Sequence, residues 1–423
     1  GPSPRSRPSV RSPRSVDYAS VPRDSVLLRG SGWRLPDPLD LRDPVEVRSV
    51  PADRPEELPG LLAWLDAVAA SGRSGRIAAG FLTYEAGVAL EGSTRLFRPP
   101  PTPLAWFGLY DLAAALRAAA ADDSAGGALP GVSDRDPPDS PGGTPSGEMG
   151  LAEWSAAVEA IRQGIARGDL YQANLTRRVT RALAVAPRRL AELLRDDNPV
   201  PWPICVETEE GAVVSNSPEL FLDVDLATRR VASSPIKGTV PRLLGGSEET
   251  ARAALLGSEK DAAEHLMIVD LVRNDLGRVC DAGSVHVPDF RSVRSFRHLH
   301  HLESTVAGTL RPGARLAELL AATLPGGSIT GAPKRAALGF IRRLEPVARG
   351  PYTGAAGYVR GDGRAVFNVA IRTARVDGCA VAYHAGGGIV WDSDPLLEWA
   401  ETETKSREFF RALAAAARPS EVP

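Results

Sequence analysis

Residues 352–390 read "YTGAAGYVRGDGRAVFNVAIRTARVDGCAVAYHAGGGIV". Runs of β-branched and aromatic residues are separated by glycine-bearing turns, the pattern of successive strands. Strands joined by such short turns must pair antiparallel, because a parallel pair needs a crossover of about a dozen residues or more. This one segment excludes an all-helical bundle and a purely alternating, doubly wound sheet. Helical periodicity is present elsewhere. In "LAEWSAAVEAIRQGIARGD", Leu151, Trp154, Val158, Ile161 and Ile165 fall on one stripe. "SEETARAALLGSEKDAAEHLMIVDLVRNDLGRV" (247–279) reads as helical, and "DPLLEWAETETKSREFFRALAAAA" (394–417) as a closing helix that starts at Asp394-Pro395. "YQANLTRRVTRAL" and "AVVSNSPELFLDVD" read as strands. Helices combined with hairpins give an α+β chain.

The pattern also divides the chain. Residues 1–25 are rich in Pro, Ser and Arg and read as linker. Residues 26–118 read as an N-terminal subdomain, with an amphipathic "PEELPGLLAWLDAVAASG" followed by "RIAAGFLTYEAG", a strand running into a glycine turn. Residues 119–150 carry hardly any large apolar side chain and cannot offset their ordering entropy, so they read as a second linker. The main domain is 151–417, with a tail at 418–423. The first residue is Gly, and the only methionines are Met149 and Met267. The expectation is a trimmed start or the rear part of a longer polypeptide.

A net charge of −2 leaves no basic footprint for nucleic acid. No apolar run approaches the ~20 residues of a membrane span, and no signal-peptide pattern is present. Cys205, Cys280 and Cys379 are far apart and form neither a metal spacing nor a disulfide framework. A reducing cytoplasm is the expected compartment.

Lysine is the informative residue. Among fifty Lys plus Arg, only Lys237, Lys260, Lys334 and Lys405 are lysine. Where charge alone is needed this chain uses arginine. A retained lysine points to a position that needs an amine able to lose its proton.

Carboxylates raise a second question. Glu264 shares a helical face with Ile268 and Leu271, where a carboxylate needs an arginine such as Arg273, a metal or a substrate cation. Glu398, Glu401, Lys405 and Glu408 share a face of the last helix, and by spacing alone they read as a solvated charged stripe. Asp270 and Asp275 are further candidates that periodicity does not rank. "LPGGSITGAPKR" (324–335) and "YHAGGGIVWDSDP" (383–395) fit either tight hairpin turns or backbone nests for an anion. In "NVAIRTARV", alternation places Arg372 inside a strand, where its planar fork suits a carboxylate.

The segments "GDLYQANLTRR" (168–178), "SNSPELFL" (215–222), "PIKGTVPR" (235–242), "EKDAAEHLMIVDLVRNDLGRVC" (259–280), "HHLESTVAGTL" (300–310), "PGGSITGAPK" (325–334), "YTGAAGYV" (352–359), "FNVAIRTA" (367–374) and "GGGIVWDSDPLLEWAETETKSR" (386–407) occur in this order. Together they resemble the chorismate-utilising enzymes: anthranilate synthase large subunits, aminodeoxychorismate synthases, isochorismate synthases and salicylate synthases. The resemblance implies large, mostly antiparallel β-sheets packed together with helices outside. It implies Mg²⁺ held by Glu264 and Glu401, with Glu398 acting through water, against the ring carboxylate of chorismate. It further implies that Gly386, Gly387 and Thr330 contact substrate, that Arg372 and Tyr358 hold the enolpyruvyl carboxylate, and that His301 lies beside the ring. Glu219 is then the general acid for the C4 hydroxyl.

Within this family the third residue of "PIxGT" is typically alanine in anthranilate synthases and lysine in aminodeoxychorismate synthases. Lys237 therefore implies amination of chorismate at C4, with the lysine as a covalent catalyst at C2. Isochorismate and salicylate synthases carry a water-activating lysine at the position of Gln172, so water addition is disfavoured. The alternatives are a relative that aminates C2 and a binding protein without activity. The ammonia is expected from a class I glutamine amidotransferase, on a separate subunit or fused upstream, since none of the three cysteines sits in its nucleophile elbow. "SVLLRGSG" departs from the motif of feedback-regulated relatives at Arg29 and Gly30, so no inhibition by tryptophan is expected.

Overall fold

The structure is a computed structural model and describes residues 24–122, 148–182, 185–243, 246–378 and 380–416. Most of the two expected linkers, the tail and Cys379 lie outside these residues. Ser25 already opens a strand, and the helix Leu112–Asp122 runs past the expected domain edge.

Among the described residues there are two large sheets, one of eight strands and one of ten, and every strand pairing is antiparallel. The first sheet runs in the order 331–332, 172–182, 380–389, 373–377, 211–217, 202–208, 25–28, 39–41. The second runs 236–241, 299–309, 230–234, 220–225, 364–369, 355–361, 73–82, 105–111, 46–50, with 286–295 also on 299–309. Side-chain alternation sorts the layers. Val26 and Leu28 of the first sheet pack with Ile77, Phe81, Tyr358 and Val366 of the second, while Leu27 turns outward to join Leu190 and Leu194 of the helix Pro187–Asp197. The far face of the second sheet packs on the helices Leu58–Ala69, Glu259–Gly277 and Leu316–Thr323. Two sheets thus face each other with helices outside, and residues 26–118 supply strands to both. This segment is not a separate layer.

The segment 247–279 is helical as expected, in two helices, Glu248–Gly257 and Glu259–Gly277. Ser258 separates them in an extended conformation, and its hydroxyl accepts from the Asp261 N–H as an N-cap. Several other local expectations are corrected. "AVVSNSPELFLDVD" is two strands, Gly211–Ser217 in the first sheet and Leu220–Asp225 in the second, divided at Pro218. "FNVAIRTARV" is divided likewise: Arg364–Val369 lies in the second sheet and Thr373–Asp377 in the first. Both chains cross between sheets at the same place, since the Asn216 N–H donates to the Arg372 carbonyl. The expected glycine turn after "GFLTY" is the short helix Tyr84–Leu90, capped by Thr83. Leu151 is exposed, because it is the first residue of the helix Leu151–Ala166 and its stripe begins at Trp154.

Candidate active site

The crossing points gather the chemistry-bearing residues. The strand Ile236–Pro241 carries Lys237 and pairs with Leu299–Thr309, which sets Thr239 opposite His301. The helix Glu259–Gly277 supplies Glu264, and the helix Pro395–Ala416 supplies Glu398, Glu401 and Lys405. Lys237 Nζ lies 2.8 Å from Glu264 Oε2, whereas the more exposed Lys260 is 3.9 Å from Glu264 Oε1. Arg273 is not the partner of Glu264, for it pairs with exposed Asp270 at 2.7 Å. Asp275 is buried and pairs with Lys334 at 2.8 Å, outside this group of carboxylates.

The stripe on the last helix is solvated in part: Glu401 and Glu408 are exposed, with the Glu401 side chain 53% accessible, whereas Glu398 is half-buried. Glu398 accepts from Ser393 Oγ at 2.7 Å. Burial raises its pKa, and neighbouring Glu401 adds to the rise. Burial also pushes Glu401 up, but Lys405, then Lys237 and Lys260, outweigh it and leave Glu401 below its ordinary value. Lys405 Nζ lies 2.6 Å from Glu401 Oε1 and donates to the Gly386 carbonyl at 2.7 Å.

The glycine run is dictated by close approach. A Cβ on Gly388 would lie 2.8 Å from Lys237 Nζ and 2.4 Å from Gln172 Nε2; one on Gly387 would lie 3.3 Å from Glu398 Oε2. Gly386 and Gly387 pair with Thr176 and Leu175 on one side. The strand on their other side, Thr373–Asp377, pairs only as far as Tyr383, so beyond that point the two strands part and leave one edge of the glycine run open to the site. Gln172 is buried beside this run, and among the described residues neither its Nε2 nor its Oε1 has a partner.

Arg372 sits at the crossing, not inside a strand, with a left-handed φ of 50°. It is buried, and one Nη donates to His301 Nε2 at 3.2 Å while Nη1 has no partner among the described residues. A buried guanidinium with an unmet donor is suited to a ligand carboxylate. His301 bonds through Nδ1 to Thr239 Oγ1 at 2.7 Å. Burial, reinforced by the Arg372 charge, lowers its pKa to about 3, so the ring is neutral. Glu219 follows the other crossing and accepts from Ser328 Oγ at 2.7 Å. Burial pushes its carboxyl up to about 7, against that hydrogen bond and the Lys237 charge.

Two expected residues do not join the group. Tyr358 points into the core between the sheets, and its hydroxyl donates to the Trp33 carbonyl at 2.6 Å. It lies on a strand whose alternation turns its ring that way. Thr330 is fully buried, and its hydroxyl is spent on the Gly326 carbonyl at 2.9 Å. The same loop reaches the site through Ser328 instead. The cluster 324–335 is no hairpin: a 3-10 turn, Gly327–Ile329, leads to the two-residue strand Gly331–Ala332 and the helix Lys334–Leu344. Ser328, Thr239 and Lys405 were not singled out from the sequence as site residues. Only Lys405 carried a signal, as one of four lysines.

Whether the carboxylates fit Mg²⁺ is a question of donor chemistry. Among the described residues, no three carboxylate, imidazole or thiol side chains stand close enough together to hold a metal outright. Glu264, Glu398 and Glu401 nevertheless interact with the same two lysines, Lys237 and Lys260. An all-carboxylate donor set is the kind a small hard dication takes.

The chain resembles known proteins in sequence and in fold. An anthranilate synthase component 1 of Haloarcula marismortui is 43% identical over 259 residues, 60% of this chain and 52% of that protein. An aminodeoxychorismate synthase component 1 of Bacillus subtilis is 38% identical over 286 residues, 67% of this chain and 60% of that protein. The chain spans about half to three fifths of the length of these curated relatives. The crystal structure of anthranilate synthase component I from Streptococcus pneumoniae covers 95% of both chains at 26% identity, with a TM-score of 0.71. The menaquinone-specific isochorismate synthase from Escherichia coli, 19% identical, shares the fold with a TM-score of 0.68 over 93% of this chain and 90% of its own. A family model described as chorismate binding enzyme matches residues 45–411, and the chain belongs to that family.

Proposed function

We propose that the chain aminates chorismate at C4 with ammonia to give 4-amino-4-deoxychorismate. Relatives at similar identity include both anthranilate and aminodeoxychorismate synthases, so the reading is carried by a single observation. An amine, Lys237 Nζ, stands among the site's carboxylates and against the glycine run. The unpaired Arg372 Nη1 would take the enolpyruvyl carboxylate. Lys237, once its ammonium proton has passed to solvent, would add to ring C2 as the neutral amine, the ring double bonds would shift, and the C4–O bond would break. Glu219 gives its proton to the departing hydroxyl, which leaves as water. Ammonia then forms the C4–N bond, the double bonds shift back and the C2–N bond to Lys237 breaks. The proton shed by the new ammonium returns to Glu219. His301 is neutral and hydrogen-bonded on both ring nitrogens, so its part is to orient Arg372 and line the ring pocket. Mg²⁺, held by Glu264 and Glu401 with Glu398 alongside, would supply positive charge for the ring carboxylate.

The test is incubation with chorismate, Mg²⁺ and ammonium salt at pH 8.5–9, where more of the ammonium is free ammonia, followed by mass spectrometry and chromatography against both amino products. The 4-amino product is expected; anthranilate as the main product would overturn the reading. The same mixture with glutamine in place of ammonium should give no product, because the nitrogen is expected from an amidotransferase partner.

Glu264→Gln and Glu401→Gln should each lower turnover by about 10² or more while circular dichroism stays unchanged, since each removes an anionic oxygen from a site that needs several. Normal kinetics at saturating Mg²⁺ would remove that residue from the metal site.

A further inference from the structure

Lys237 is ion-paired with a buried carboxylate in this structure. Glu264 is buried, and a buried carboxylate without a partner is costly. Its near partner is Lys237 at 2.8 Å; Lys260 is farther, at 3.9 Å, and its side chain is 57% exposed. Water screens such an exposed ammonium, so most of the compensation comes from Lys237. Lys237 Nζ lies on one oxygen, Oε2, of the Glu264 carboxylate, and an ammonium and a dication held by the same carboxylate repel each other strongly.

We propose that Lys237 is the resident counter-cation of Glu264, and that a dication enters this site only by displacing it. Loading the metal and freeing the catalytic amine are then one event. The ammonium compensates the buried carboxylate while the site is empty. Once displaced, it loses its ion-pair partner and is left against Gly388 and Gln172, on the ring side. This inference rests on the reading of Glu264 as a metal ligand.

The experiment is calorimetric titration of the full chain with MgCl₂ in the absence of chorismate. Lys237→Met and Lys237→Gln should bind Mg²⁺ at least ~10-fold more tightly than the wild type, the scale of removing one like charge at contact distance in a partly buried site. The glutamine variant keeps a hydrogen bond to Glu264 and so protects the fold. Lys237→Arg should bind no more tightly than wild type, because it keeps the competing charge, and Lys260→Met should change affinity less than about threefold. Affinity in both Lys237→Met and Lys237→Gln equal to or weaker than wild type would overturn the competition. If Glu264→Gln binds Mg²⁺ as well as wild type, the metal reading of Glu264 fails, and the competition fails with it. If Glu264→Gln loses binding and the Lys237 variants gain none, only the competition fails.

Discussion

Lys237→Ala lowers formation of the 4-amino product by a factor of at least ~10², the usual scale for losing a covalent or acid–base group. Lys237→Arg is nearly as damaging. A guanidinium stays protonated at any working pH, so it can replace the charge beside Glu264 but cannot attack C2. The pair of variants separates need for a nucleophile from need for a positive charge, and the measured quantity is product per enzyme under ammonium. The alanine variant also vacates the space between Glu264 and Gly388 and recreates "PIAGT". A trace of C2-aminated product is expected there, because ammonia can then reach C2 directly. If Lys237→Arg keeps most of its 4-amino activity, the lysine acts only through its charge, and the covalent step is wrong.

Glu219→Gln costs about 10²–10⁴ in kcat, since an amide has no acidic proton to give to the leaving hydroxyl. The wild-type enzyme carries a matching pH signature. Burial pushes the Glu219 carboxyl up to about 7. A general acid must be protonated to act, so its working form is complete below about 7 and is lost as pH rises through that value. With free ammonia held constant at each pH, kcat should therefore fall about tenfold per unit on the alkaline side. Ser328→Ala sharpens the test. The Ser328 hydroxyl donates to Glu219 Oε1 and holds the pKa down. Its removal should shift the alkaline limb to higher pH, whereas loss of a merely structural contact would leave the limb in place. A limb that does not move in Ser328→Ala, or that persists in Glu219→Gln, assigns it to another group.

The two corrected residues show where sequence reasoning lost its grip. Tyr358 and Thr330 sit in segments that match the family, yet neither side chain reaches the site. Matching a segment does not say which of its residues faces inward. In the strand Ala355–Gly361 alternation turns Tyr358 into the core between the sheets, and in the 324–333 loop the 3-10 turn brings Ser328, not Thr330, to Glu219.

Local periodicity and turn chemistry were enough to determine the fold class, most of the helices, and the need for partners at Glu264 and Arg372, because these depend on neighbours a few residues apart. The rarity of lysine singled out Lys237 for the same reason: composition is written along the chain. Tertiary structure alone decided that two runs read as single strands are broken at Pro218 and at Ala370–Arg372, because each crosses from one sheet to the other. It alone decided that Glu398 is half-buried against Ser393, that Lys237 reaches Glu264 across 27 positions of sequence, and that Ser328 meets Glu219 across 109. Such contacts are set by how two sheets and their covering helices pack, and a spacing rule that extends only a turn or a hairpin cannot carry that information.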